Sequence, residues 1–164
     1  MNRIAVMGPP GAGKSTFSRR LGERTELPVI HLDAHYWGPN WEGPPTDEWR
    51  QTHRELIEGD AWIIDGNYGS TAAERLDAAD TVIFLESSRY VCLFRVLKRR
   101  LLRDNPAMAE GCSPKVEPSF LLYTWRFNTE KRPSLKEMAR TREATELITL
   151  RSSQDREGLL TRLG

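Results

Sequence analysis

Two cysteines are all this chain holds among 164 residues, and Cys92 and Cys112 sit too far apart for a metal-ligand pair. That excludes a disulfide scaffold and a zinc-ribbon reading. No apolar run approaches the 18 residues a membrane span needs, so no membrane partner is expected. The apolar residues near the N-terminus begin a strand pattern almost at once, so no leader peptide is expected there, and the chain reads as cytoplasmic. A dominant charge is missing too: 24 basic residues face 23 acidic ones, for a net charge of +1. An obligate nucleic-acid binder carries a basic excess, so any anion site here must be a local cluster. Neither an internal repeat nor a low-complexity segment is present. The hydrophobic share, 38%, suits a single domain of this length with a buried core.

What the chain does have is a strong local motif. Residues 8–15 read Gly-Pro-Pro-Gly-Ala-Gly-Lys-Ser, a complete G-x-x-x-x-G-K-[ST] phosphate-binding loop. An apolar run, Ile4 to Met7, precedes it and a helix-like stretch follows, which is the strand–loop–helix context the motif requires. Gly8, Gly11 and Gly13 allow the backbone to curl around phosphate oxygens. Pro9 and Pro10 donate no N–H, so the amides of Gly11, Ala12, Gly13, Lys14, Ser15 and Thr16 must form the cradle. Lys14 is expected on the β- and γ-phosphates of ATP, and the Ser15 hydroxyl on Mg²⁺.

Strand-like runs fall at Arg3–Met7, Val29–Leu32, Ala61–Asp65, Thr81–Glu86 and Glu146–Leu150. Helical patterns lie between them, at 14–24, 46–59, 71–77, 88–103 and within 117–143. This alternation predicts an α/β fold with a parallel sheet covered on both faces. Ligands then bind beyond the carboxyl ends of the strands, where Gly8, Asp33, Asp65 and Ser87 stand. Two excursions look like binding segments. One, about 35–59, is rich in aromatics, Gly and Pro at its start and is the expected acceptor-binding insertion. The other, about 104–133, is the expected lid.

The segment 88–103 carries two stripes. Tyr90, Phe94, Leu97 and Leu101 recur at helical spacing and are expected to face the core. Arg95, Arg99 and Arg103 recur every four residues and are candidates for a clamp on charge that develops during phosphoryl transfer. Arg132 is a further candidate near the nucleotide. Asp33 reads either as a structural cap or as the residue that binds the acceptor and serves as its general base. Asp65 resembles a Walker-B acid that holds Mg²⁺ beside Ser15, with a substrate-side role as the alternative. Gly66, Asn67 and Tyr68 follow it and, with Trp37 and Arg50, are candidates for the acceptor site. His31, His35 and His53 form no ligand set. Ser152 and Ser153 fall where an adenine-contacting loop is expected.

Taken together these residues resemble the P-loop nucleoside monophosphate kinase superfamily. The narrower resemblance is to the adenylate-kinase-related DNA topology modulation proteins. It rests on the phosphate loop, His-Leu-Asp at 31–33, Trp-Ile-Ile-Asp-Gly-Asn-Tyr at 62–68, Ala-Asp-Thr-Val-Ile-Phe-Leu at 79–85, Phe-Arg-Val-Leu-Lys-Arg-Arg at 94–100 and Met-Ala-Glu-Gly-Cys at 108–112. The resemblance implies a three-layer fold, a five-stranded parallel sheet in the order 2-3-1-4-5, and a helical lid that closes over ATP. It implies an ATP- and Mg²⁺-dependent phosphotransferase, monomeric or homodimeric, acting on a small acceptor, with a nucleotide or nucleoside first and a hydroxylated metabolite as the alternative. An ATP-binding, nucleic-acid-associated regulator without a dedicated acceptor is the reading from another class. Adenylate kinases place Pro and Arg after the third-strand Asp-Gly-aromatic; Asn67, Tyr68 and Gly69 stand there instead.

Overall fold

A computed structural model describes residues 1–101, 117–143 and 145–163, and Arg100 by its backbone alone. Five strands, β1 (Arg3–Met7), β2 (Val29–His31), β3 (Trp62–Asp65), β4 (Thr81–Leu85) and β5 (Glu146–Leu150), form one sheet in the order β2-β3-β1-β4-β5. Every pairing is parallel. The central strands β1, β3 and β4 are buried on both sides and carry apolar residues in nearly unbroken runs, whereas the edge strands β2 and β5 are mostly half-buried. The expected order and boundaries hold to within a residue.

The pleat sends successive residues to opposite faces. On one face Ile4, Val6, Ile63, Ile83 and Leu85 pack against Phe17 and Leu21 of α1 (Lys14–Thr25) and Leu159 and Leu160 of α8 (Ser153–Arg162). On the other, Ala5, Met7, Ile64, Val82 and Phe84 pack under α2 (Leu32–Tyr36), α3 (Thr46–Ile57), α4 (Gly69–Ala78), α6 (Pro118–Glu130) and α7 (Arg132–Arg140). Three layers and two cores result, one core on each side of the sheet. A short 3-10 turn, Pro39–Trp41, lies in the aromatic excursion.

Helix α5 (Arg89–Leu101) departs from its expected orientation. Cys92 and Val96 are the buried residues, whereas Tyr90, Phe94 and Leu101 are 71%, 65% and 80% exposed. The carbonyl of Cys92 lies so close to Gly11 that a Cβ there would sit 2.4 Å from it. The helix therefore turns its Cys92–Arg95–Val96–Arg99 side toward the phosphate loop. Tyr90 stacks edge-on against Trp125 of α6, with ring centroids 5.3 Å apart. Contact with the loop and with α6, not the sheet, selects the buried stripe.

A second difference concerns Asp33. Strand β2 ends at His31, and Asp33 lies in the first turn of α2. Helix α8 is also an addition to the expected elements. Its N-cap is Ser152, which accepts from the Asp155 amide at 3.0 Å, while the Asp155 carboxylate accepts from the Ser152 amide at 3.0 Å. This reciprocal pair is a capping box, so the Ser152 side chain is used to start a helix.

Candidate active site

The carboxyl ends of β1, β3 and β4 converge on the phosphate loop. Gly8, Gly11 and Gly13 have φ of 144°, 80° and 88°, conformations that L side chains rarely adopt. Gly13 is the N-cap of α1 and supplies no side-chain cap. The first-turn amides of α1 are thus left to an incoming anion, and the helix dipole favours the same charge. Beyond the glycine geometry, Arg156 braces the loop from α8. Its Nη1 donates to the Ala12 carbonyl at 2.9 Å and its Nη2 to the Glu86 carbonyl at 3.2 Å. Arg156 is absent from the sequence-derived candidates, because the helix that carries it was not expected.

Lys14 donates from Nζ to the carbonyls of Gly8 at 2.9 Å and Pro9 at 3.2 Å. Burial lowers its pKa below the usual lysine value; Asp33 and Asp65 oppose that fall, and Arg99 adds to it. Lys14, Asp33, Asp65 and Arg99 therefore share one electrostatic neighbourhood. Arg95 reaches the Gly11 carbonyl at 3.5 Å. Arg103 lies outside the described residues, as does the first part of the expected lid, 104–116; the rest of that segment, 117–133, holds all of α6 and the first residues of α7.

Asp65, 4% exposed, ends β3. Its Oδ2 hydrogen-bonds His31 Nδ1 at 2.8 Å, as register partners on the two strands. His31 thus enters the site through Asp65, a role that its lack of a metal-ligand set does not reveal. Ser15 and Asp65 supply a hydroxyl and a carboxylate, hard oxygen donors that suit Mg²⁺. Among the described residues no three His, Cys, Asp or Glu side chains cluster as a metal cage.

The surroundings of Asp33, where the acceptor was expected, are aromatic. The Tyr68 hydroxyl donates to Asp33 Oδ1 at 2.6 Å. Burial, then Asp33, raise the Tyr68 pKa well above the usual tyrosine range, so the phenol stays a donor. The Tyr68 ring lies 4.7 Å from Tyr36 and 5.1 Å from Trp49, and Trp37 stacks edge-on against Tyr36 at 4.8 Å. Trp49 is a buried core residue. Arg50 is exposed on α3, and Arg54 is paired with Glu74 at 3.1 Å. Arg132 approaches Glu86 at 3.9 Å. Burial works against the charge on Glu86, yet Lys136, Arg132 and Arg151 hold its carboxyl below the usual range. Glu86, Arg132 and Arg151, with Ser87, Ser88 and Asn128, line a cavity of about 250 Å³.

Behind the β3–α4 turn lies a residue that the sequence reading passed over. Arg75 is wholly buried. It donates to the carbonyls of Gly66 at 3.1 Å and Asn67 at 2.8 Å, and its Nη1 meets His53 Nε2 at 3.1 Å. Burial pushes its pKa down to about 10. Burial and the neighbouring Arg75 push His53 down to about 4. His53 is therefore neutral near pH 7 and accepts the guanidinium proton at Nε2. A neutral imidazole and two main-chain carbonyls stand where a carboxylate partner would be usual.

No family model matches the chain. Its curated relatives include the shikimate kinase of Rhodococcus jostii, 28% identical over 158 residues, which span 88% of each chain. Another is the shikimate kinase of Rhodococcus erythropolis, 30% identical over 129 residues, or 70% of this chain and 74% of that one. Among solved structures, shikimate kinase from Acinetobacter baumannii in complex with shikimate aligns with a TM-score of 0.62 at 20% identity, over 99% of this chain and 90% of that one. Shikimate kinase from Bacteroides thetaiotaomicron aligns with 0.61 at 17% identity, over 99% and 96%. The structural likeness carries the fold and the curated relatives carry the chemistry: this chain belongs to the shikimate kinase family of P-loop kinases and is an ATP-dependent phosphotransferase.

Proposed function

We propose that the chain transfers the γ-phosphoryl group of ATP to a hydroxyl of a small hydroxylated metabolite, with shikimate the first compound to test. The observation that carries this reading is Asp33, held at Oδ1 by Tyr68 in the electrostatic neighbourhood of Lys14. Tyr68 leaves Oδ2 for the acceptor. An alcohol acceptor needs a base, whereas the phosphate oxygen of a nucleoside monophosphate, already ionised near pH 7, does not. The shikimate kinase relatives support the same choice. The hydroxylated-metabolite reading therefore ranks above a nucleotide or nucleoside acceptor. The narrower tie to DNA topology modulation proteins rests on the motif residues alone.

In this mechanism the acceptor oxygen attacks the γ-phosphorus, its proton passes to Asp33, and the bond to the bridging oxygen of ADP breaks. Lys14, Arg95 and Arg99 would balance the charge that spreads over the transferring group. Ser15 and Asp65 would hold Mg²⁺, which when bound neutralises β- and γ-phosphate charge. The carboxylate of Asp65 is steadied by His31.

The experiment is ADP release from MgATP, alone and with shikimate, other hydroxylated metabolites, nucleosides, nucleoside monophosphates or duplex DNA. Stimulation by a hydroxylated metabolite, with its phosphate ester recovered, supports the reading. Stimulation by a nucleoside monophosphate alone returns the acceptor to the nucleotide class, and stimulation by DNA alone returns the chain to the regulator class.

A further inference from the structure

The carboxamide of Asn67 is committed to the phosphate loop. Its Oδ1 accepts from the Gly8 amide at 3.2 Å, and its Nδ2 donates to the Gly8 carbonyl at 2.9 Å. This pair extends the sheet. Val6 and Asp65 are the last register partners of β1 and β3, and the Gly66 amide still donates to the Val6 carbonyl at 3.2 Å. At Gly66, φ is 138° and the main chain leaves the ladder. The next rung is made by the Asn67 side chain, which presents the same donor and acceptor as a peptide group.

The same residue faces two other parts of the site. From below, Arg75 grips the Gly66 and Asn67 carbonyls. From α6, Tyr123 comes near enough that the Asn67 side chain partly offsets the rise burial imposes on its hydroxyl pKa. Immediately after Asn67 comes Tyr68, whose φ of 29° is strained for a non-glycine residue and whose hydroxyl holds Asp33. Asn67 thus joins the donor loop, the turn that carries the Asp33 contact, and α6.

The Gly8 carbonyl is shared. Lys14 Nζ and Asn67 Nδ2 both donate to it at 2.9 Å. When Lys14 turns to a phosphate it gives up that carbonyl, and Asn67 becomes its remaining side-chain donor. A carbonyl with one donor in place of two binds that donor more strongly.

We infer that Asn67 is a positioning residue that couples nucleotide binding at the phosphate loop to the order of the Gly66–Tyr68 turn, and through Tyr68 to Asp33. Coupling of this kind is reciprocal, so an acceptor that orders the turn tightens nucleotide binding equally. The inference rests on the phosphate loop as the nucleotide site and not on the identity of the acceptor.

The test is amide hydrogen exchange on the full chain, with and without saturating MgADP. In the unsubstituted protein MgADP protects residues 11–16 and also slows exchange at 66–71, by about 5- to 150-fold. In Asn67→Ala the protection at 11–16 persists at saturating MgADP, while the slowing at 66–71 falls below about twofold. Asn67→Asp keeps the acceptor for the Gly8 amide and loses the donor, so it behaves alike and serves if the alanine variant does not fold. Tyr123→Phe keeps the Gly8 pair and is expected to retain the slowing at 66–71. Full slowing at 66–71 in both Asn67 variants overturns the inference. Absence of MgADP protection at 11–16 in the unsubstituted protein overturns the nucleotide site itself, and the coupling with it.

Discussion

At the scale of single residues, the phosphate loop tolerates little at Gly8. A Cβ there would sit 2.4 Å from the Leu85 carbonyl oxygen, on a φ of 144°. Strain of this kind costs about 1–3 kcal/mol, before the clash with the backbone is added. Gly8→Ala is expected to lower the melting temperature by roughly 5 °C or more. By contrast, Gly69, the first residue of α4, has nothing within 4 Å of its Cβ position. Gly69→Ala should hold or raise the melting temperature, since alanine restricts the unfolded chain; thermal denaturation of both variants checks the pair. His53 makes a pH prediction. Its folded-state pKa, about 4, is below the unfolded value of 6.5, so between those two pH values the unfolded chain binds the extra proton. Stability is then fully present above about pH 6.5 and falls as pH drops toward 4, by about 2–3 kcal/mol. His53→Gln keeps an acceptor for Arg75 without titrating. Melting curves from pH 7 to 4.5 should fall less steeply for this variant, and parallel curves would show that His53 is not the source.

Among the elements, those with strong local chemistry were legible in the sequence. The strands carry their own apolar runs, and the loop at 8–15 its glycines, so their places could be read residue by residue. Helix α5 could not be oriented that way. Its exposed Tyr90 and Phe94 have the same helical spacing as a buried stripe, and only the phosphate loop and α6 decide which stripe turns inward. The four-residue spacing of Arg95 and Arg99 could be read from the sequence, yet the Gly11 carbonyl that Arg95 reaches lies eighty-four residues away. Arg75 and the loop-bracing role of Asn67, which was read only as an acceptor-site candidate, were hidden in the same way, because they rest largely on main-chain carbonyls and amides, which leave no mark in composition. A local signal did exist for α8, in Ser152 followed three residues later by Asp155, a capping-box pattern. That helix matters because Arg156 ties its first turns to Ala12 and Glu86. Arg156→Met retains the apolar stem and removes both bonds. It should weaken MgATP binding by about tenfold, near 1.4 kcal/mol, with a smaller change in turnover at saturating ATP. Equal affinity by titration calorimetry would show that the loop keeps its shape without the brace.

For the whole molecule, the two cores lie on opposite faces of the sheet and meet only through it, while the nucleotide site stands at the carboxyl edge common to both. The loop and α1 belong with one core, and the turn after β3 and α4 belong with the other. A ligand at that edge binds the folded state alone, so it stabilises both cores together by mass action. At a free concentration one hundred times its dissociation constant, MgADP adds about 2.7 kcal/mol, a rise in melting temperature of roughly 5–10 °C for a chain of this size. Lys14 decides whether that rise comes from the phosphate loop. Without nucleotide its ammonium rests on the Gly8 and Pro9 carbonyls, with its pKa lowered by burial. Lys14→Ala removes two hydrogen bonds and one costly desolvated charge, two effects of opposite sign. The nucleotide-free melting temperature should therefore change little, while most of the MgADP-induced rise disappears and phosphoryl transfer falls by about 10²- to 10³-fold. If the variant instead keeps the full rise, the stabilising nucleotide is bound away from Lys14, and Arg95, Arg99, Asp33 and Asp65 lose their assigned roles with it.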